Sequence, residues 1–241
     1  MMITMDCMRM VLTQVMFMGM LGLASLGGAL SLPSAGFASE TETNAAATKD
    51  AVPKAIYDET QPGADDPRVK EGFAAYKAGE FKKAYDIWLP LAESGNSEAQ
   101  FRVGNIYSFA RGLEQNDLIA QSWWEKAAYK EHVKAMHNLA VVYDQGKTLP
   151  KNVARARTYY LKAVELCKVS SHYGLGSLIL RQPKDERDNV DGHKWLEIAF
   201  MLGDIRAGEV SKKLVGLITT PTEYETAKKK AQEWLSNHSC K

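Results

Sequence analysis

Apolar residues along this chain fall into pairs of helical stripes that recur at a fixed step of 36 residues. The clearest pair lies between Ala99 and Lys134. Ala99, Val103, Ile106 and Tyr107 make one stripe, and Ala120, Trp123, Trp124, Ala127 and Ala128 make the other. Both have the spacing of one buried face of an α-helix. Between them, Arg111-Gly112-Leu113-Glu114-Gln115-Asn116 supplies a glycine stop, a polar turn and an amide cap. The pattern predicts two antiparallel helices. At the same step Ala99 recurs as Ala135, Ser171 and Ala207, and Gly104 as Ala140 and Gly176. Trp88, Trp124, Tyr160 and Leu196 keep it too, as do Ala84, Ala120, Ala156 and Gly192. A step of this size marks a repeat architecture, whose units bury their stripes only by stacking. Small residues let paired helices approach, and one large ring fills what space is left. The expected fold is all-α, a right-handed solenoid of stacked helix hairpins.

The step sets the domain plan. Residues 68–96 read as a shorter hairpin and amino-terminal cap, with Pro90 expected to kink its second helix. Repeats follow at 97–132 and 133–168, then a degenerate one at 169–203, and a carboxyl-terminal cap at 204–241. In that cap Thr220-Pro221-Thr222-Glu223 is a capping box, followed by a stripe of Tyr224, Ala227, Ala231, Trp234 and Leu235. Residues 1–38 differ: Arg9, an apolar run from Met10 to Leu32, then the small-residue stretch ending at Ala38. That order is expected of a secretory signal peptide, with the mature chain starting near Ser39 and a periplasmic or secreted destination. An uncleaved membrane anchor is the alternative, because the run is long enough to span. Residues 39–67, polar and punctuated by Pro53, Pro62 and Pro67, are expected to be a flexible linker.

The motif A-x-x-x-[VL]-G-x-x-Y, a glycine loop and A-x-x-W-[WY]-x-K-A resembles the Sel-one-like repeat of the tetratricopeptide superfamily. Ala99, Val103, Gly104, Tyr107, Gly112, Ala120, Trp124, Lys126 and Ala127 carry it in the first full unit. Ala135, Leu139, Tyr143, Gly146, Ala156, Tyr160 and Ala163 carry it in the second. The third keeps Gly176, Trp195 and Ala199 but replaces the loop with the charged stretch 181–188, which leaves its hairpin entry open. Together with the export signal, the resemblance implies a protein-binding scaffold of the bacterial-type cell envelope, of the kind that regulates envelope or signalling proteins. It also implies an alternative, since secreted cysteine-rich members are described as penicillin-binding or weak β-lactamase enzymes.

Charge and chemistry narrow the function further. Thirty Lys and Arg stand against 29 Asp and Glu, a net charge of +1. Such balance offers neither a nucleic-acid footprint nor a polybasic membrane surface. The five histidines have no metal-ligand spacing, so no metal and no cofactor is expected. Glu125 and Glu197 hold equivalent places two repeats apart, ~20 Å at helix-packing distances, too far for acid–base work. No nucleophile elbow or phosphate loop occurs, and the chain is expected not to be an enzyme. Cys167 and Cys240 remain in an exported chain, which suggests a bridge. Repeat geometry argues the other way, placing Cys240 two hairpins beyond Cys167 unless the tail runs back along the stack.

Partner-binding residues are expected on the first helix of each hairpin, opposite the buried stripe. Phe101, His137 and Tyr173 share one repeat position there, and Asn105, Val141 and Ser177 another. Arg102 and Asn138 sit on the shoulder. Rings beside amides suit an extended peptide partner lying in a concave groove. The other reading is that the rings pack against the next hairpin.

Overall fold

A computed structural model describes residues 60–240 except 148, 182 and 184. The expected signal peptide and the linker as far as residue 59 lie outside the described residues. Among the described residues ten helices follow one another: α1 (Pro67–Lys77), α2 (Phe81–Glu93), α3 (Ser97–Ser108), α4 (Asp117–Tyr129), α5 (Val133–Gln145), α6 (Val153–Glu165), α7 (Val169–Leu180), α8 (Glu186–Met201), α9 (Ile205–Leu214) and α10 (Pro221–Asn237). The described residues hold no strand, only an isolated bridge between Val215 and Thr219. The first eight helices pack as four hairpins, and each hairpin stacks on the next. This is the all-α solenoid that the repeat step predicts.

Local chemistry explains where helices start. Asn96, Asn116 and Asn152 accept from the amides of Ala99, Ile119 and Arg155 at 2.9, 3.0 and 2.9 Å. Each satisfies an amide that the first turn leaves without a helical partner. In the degenerate third repeat Asp185 does the same for Arg187 and Asp188, so α8 forms and the hairpin keeps its place. The Thr220–Glu223 capping box is present, with Pro221 opening α10. α2 continues through Pro90 to Glu93. The proline falls in its last turn and removes a single helical bond.

Close packing inside the hairpins follows the small-residue logic. A Cβ built on Gly104 would lie 2.6 Å from the Trp124 indole, and one on Gly176 would lie 2.9 Å from Leu196 Cγ. Gly72 stands against Trp88 in the same way. Glycine inside a helix costs ~1 kcal/mol against alanine, and here that cost admits a ring. Trp88 and Trp124 are 0 and 3% exposed, and Tyr160 at the same step is 0% exposed.

Both ends of the stack depart from the expected plan. The last residues of the expected linker are built into the fold: Pro62 O accepts from Glu98 N at 3.1 Å, and Gly63 O accepts from Asn96 Nδ2 at 2.9 Å. Ala64 is fully buried. At the other end α10 does not pair with α9 as a fifth hairpin; it lies along α8. Tyr224 Oη donates to Glu197 at 2.9 Å, and the Trp234 ring meets Trp195 and His172 at 5.5 and 5.3 Å. The helix thereby runs back toward the start of α7. His238 stacks on Trp234, and its Nε2 lies 3.3 Å from Glu165. Cys240 lands beside Cys167 with Cα atoms 5.2 Å apart, and the two form a disulfide. A regular fifth hairpin would hold the two cysteines apart. The reversal of α10 removes that distance.

Candidate functional site

The first helices α3, α5 and α7 carry the residues expected to line a groove. Phe101, His137 and Tyr173 are 5, 3 and 4% exposed. They do not face solvent, which corrects the expectation of an open aromatic row. Phe101 stacks on His132 of the following hairpin at 4.6 Å. His137 Nδ1 lies 2.8 Å from Ser171 Oγ on α7, and the Arg206 guanidinium sits 5.4 Å from the Tyr173 ring. The rings are joints between hairpins. The reason is geometric: an interior helix of a solenoid is flanked by its own partner and by neighbouring hairpins. The side opposite its partner is therefore occupied again. From Ser171 to Leu180 every residue of α7 is buried.

Three of the joints also carry a polar lock. Between the second and third hairpins, Glu98 Oε1 accepts from Arg102 Nε at 2.6 Å, and Oε2 lies 2.7 Å from His132 Nε2. His132 Nδ1 accepts the Ala135 amide at 3.3 Å, so its proton sits on Nε2 and is donated to Glu98. Burial alone would raise the Glu98 carboxyl, but Arg102 and His132 outweigh it and hold it below the ordinary carboxylate range. Between the third and fourth, Arg181 grips both oxygens of Asp144 at 2.6 and 2.5 Å. After the fourth, His193 lies 2.8 Å from both Ser211 Oγ and Thr219 Oγ1. The sequence reading missed these locks. The i, i+4 pair Glu98–Arg102 was visible, but its partner His132 lies 34 residues away.

The Ser–His pairs invite comparison with a nucleophile and its base. Ser171 and Ser211 are 0% exposed, and no substrate can reach them. Burial lowers His137 to about 3, with Lys168 adding to it, and lowers His172 and His193 to about 4. Among the described residues no cluster of His, Cys, Asp or Glu could hold a metal ion. No described helix is long and apolar enough to cross a membrane.

What stays open on the first helices is narrower than expected. On α5 it is the half-buried stripe Lys134, Asn138, Val141 and Gln145, at i, i+4, i+7 and i+11, with Val142 half-buried beside it. On α3 it is Asn105, Tyr107 and Ser108. Asn105 Oδ1 accepts from Trp124 Nε1 at 3.0 Å and from Asn138 Nδ2 at 3.2 Å, joining two repeats across the face. Of the second expected row, Asn105 and Val141 stay half-exposed, while Ser177 is enclosed at 8% exposure.

Comparisons with known proteins agree with this architecture. The Sel1 repeat family matches residues 97–132, 133–166 and 169–204. The Arabidopsis thaliana ERAD-associated E3 ubiquitin-protein ligase component HRD3A is 30% identical over 42% of this chain, which spans 15% of that protein. The exopolysaccharide production negative regulator of Rhizobium meliloti is 25% identical over 74% of this chain and 68% of its own length. Among solved structures, the protective antigen c5321 of uropathogenic Escherichia coli, which displays an SLR fold, superposes with a TM-score of 0.61. That match has 23% identity and covers 73% of this chain and 38% of the antigen. Three successive family matches fall on three stacked hairpins: the chain carries three Sel1 repeats.

Proposed function

We propose that this chain is a non-catalytic protein–protein interaction scaffold of the cell envelope, holding a partner segment on its groove face and regulating an envelope or signalling protein. Interaction is the common work of Sel1-repeat relatives, and the full burial of Ser171 and Ser211, the serines paired with histidines, supports the non-catalytic reading. The observation that carries the envelope assignment is the Cys167–Cys240 disulfide. Such bridges persist in oxidising compartments and are rare where thiols are kept reduced. The export signal read at residues 1–38 points the same way. The match to a negative regulator along most of both chains supports the regulatory role.

Alkylation of thiols in intact cells, before and after reduction, tests the compartment. The expected result is a chain beginning near Ser39, recovered from the envelope fraction, whose two cysteines react only after reduction. Free thiols, or a chain confined to the cytoplasm, would contradict the proposal. Hydrolysis of a β-lactam by the mature chain would contradict its non-catalytic part.

A further inference from the structure

The open strip of α3 and α5 holds a polar arrangement whose hydrogen-bonding capacity is not used up among the described residues. Its orientation follows from chemistry. The Trp124 indole nitrogen can only donate, so the Asn105 atom facing it at 3.0 Å is Oδ1. The Asn138 atom 3.2 Å from that oxygen is therefore its amide nitrogen. Asn105 Nδ2, with two donors, and Asn138 Oδ1, an acceptor, remain without partners among the described residues. Neither is among the sealed polar atoms, so both reach solvent, whereas Ser177 Oγ is sealed. A donor and an acceptor thus stand side by side on consecutive first helices, next to the half-buried apolar Val141.

We propose that Asn105 and Asn138 read the main chain of an extended polypeptide segment of the partner, Asn105 donating to a carbonyl and Asn138 accepting an amide, with a small apolar side chain over Val141. This rests on the scaffold reading above and names where and how it binds. A donor–acceptor pair is what a peptide unit offers, and reading it requires no charge on the partner. A polysaccharide fits the site less well. Sugar faces stack on exposed rings, and Phe101, His137 and Tyr173 are all buried in joints.

Asn105→Asp is the informative variant. It keeps the oxygen that accepts from Trp124 and Asn138 but turns the outward donor into an acceptor. Asn138→Leu removes the outward acceptor while Asn105 keeps its bond from Trp124. The probe is a phage-displayed library of random dodecapeptides selected on the full chain, followed by synthetic copies of the selected peptides. Each variant is expected to melt close to wild type and to bind at least about tenfold more weakly, the scale of one hydrogen bond with its partner left unpaired. N-methylation of one peptide bond should weaken binding similarly, where alanine at that position does not. Peptides that bind both variants as well as wild type would place the site elsewhere and leave the scaffold reading intact. Selection of no peptide, or binding of a neutral glucan oligosaccharide in its place, would overturn the proposed ligand class. The compartment and envelope role fail separately, in the thiol and fractionation experiment.

Discussion

The middle of the molecule and its carboxyl-terminal end are built from the same hairpins but held in different ways. From α3 to α6, helices meet through positions that repeat every 36 residues: glycine or alanine against Trp124 and Tyr160, and asparagine caps at Asn116 and Asn152. Beyond α8 the contacts abandon the step. α10 turns back onto α8, Trp234 meets Trp195 and His172, His193 ties α8 to Ser211 and Thr219, and Cys240 closes on Cys167. The difference is physical. A middle hairpin is covered by neighbours on both sides, whereas the last one has an open side. Here the chain covers the outer hairpin with its own final helix rather than adding a further pair.

Substitution in the middle should have the largest effect. Trp124→Ala empties the space beside Gly104, and truncations of this size cost about 3–5 kcal/mol. Because stability in a stack is shared between neighbours, the loss should spread to α5 and α6. A melting curve unchanged by this substitution would place Trp124 outside the core. At the carboxyl-terminal end, Cys240→Ser opens a loop with a sequence separation of 73 residues. A bridge typically contributes about 2–4 kcal/mol. Hydrogen exchange should quicken in α10 and on the α8 surface it covers, and stay unchanged in α3 and α4. Uniform quickening would show that the two regions are not held differently.

Acid should separate the regions again. His137, His172 and His193 are held neutral by burial, with values near 3, 4 and 4 against an ordinary 6.5. The unfolded chain takes up these protons first, so their contribution is complete above about pH 6.5 and is lost as pH falls toward 4. All three lie at or beyond the joint of the third and fourth hairpins. Glu98, at the earlier joint, is shifted below its ordinary 4.5, and its contribution is lost only at lower pH. Protection against exchange, taken relative to the intrinsic rate at each pH from 7 to 5, should therefore fall in α7–α10 before α3. The smallest effect belongs to a cap. Asn96→Ala removes the bond to the Ala99 amide and the one to Gly63 O, and should cost about 1 kcal/mol in a melting experiment.

The all-α stack, its step and most helix boundaries were legible because they follow from spacing within one unit. Trp124, Gly104 and the capping box are cases where a local pattern specifies a local contact. The disulfide was not legible for the opposite reason. Cys167 and Cys240 meet only because α10 leaves the register, and no residue inside the repeat announces that reversal. The groove row failed in a third way. Phe101, His137 and Tyr173 point away from their own hairpin partners, as spacing requires, but the neighbouring hairpin lies where open space was expected. Asn105 and Val141 kept part of their exposure, and Asn138 moved from the shoulder to the centre of the open strip.

One pair of melting curves separates the rings of the joints from the residues of the open face. Phe101 lies 5% exposed against His132, so Phe101→Ala should destabilise the chain by about 3–5 kcal/mol. Asn138 lies on the open face and makes one hydrogen bond to Asn105, so Asn138→Ala should melt within about 1 kcal/mol of wild type. A Phe101→Ala protein as stable as wild type, beside an Asn138→Ala protein that unfolds early, would exchange the two roles and contradict the account.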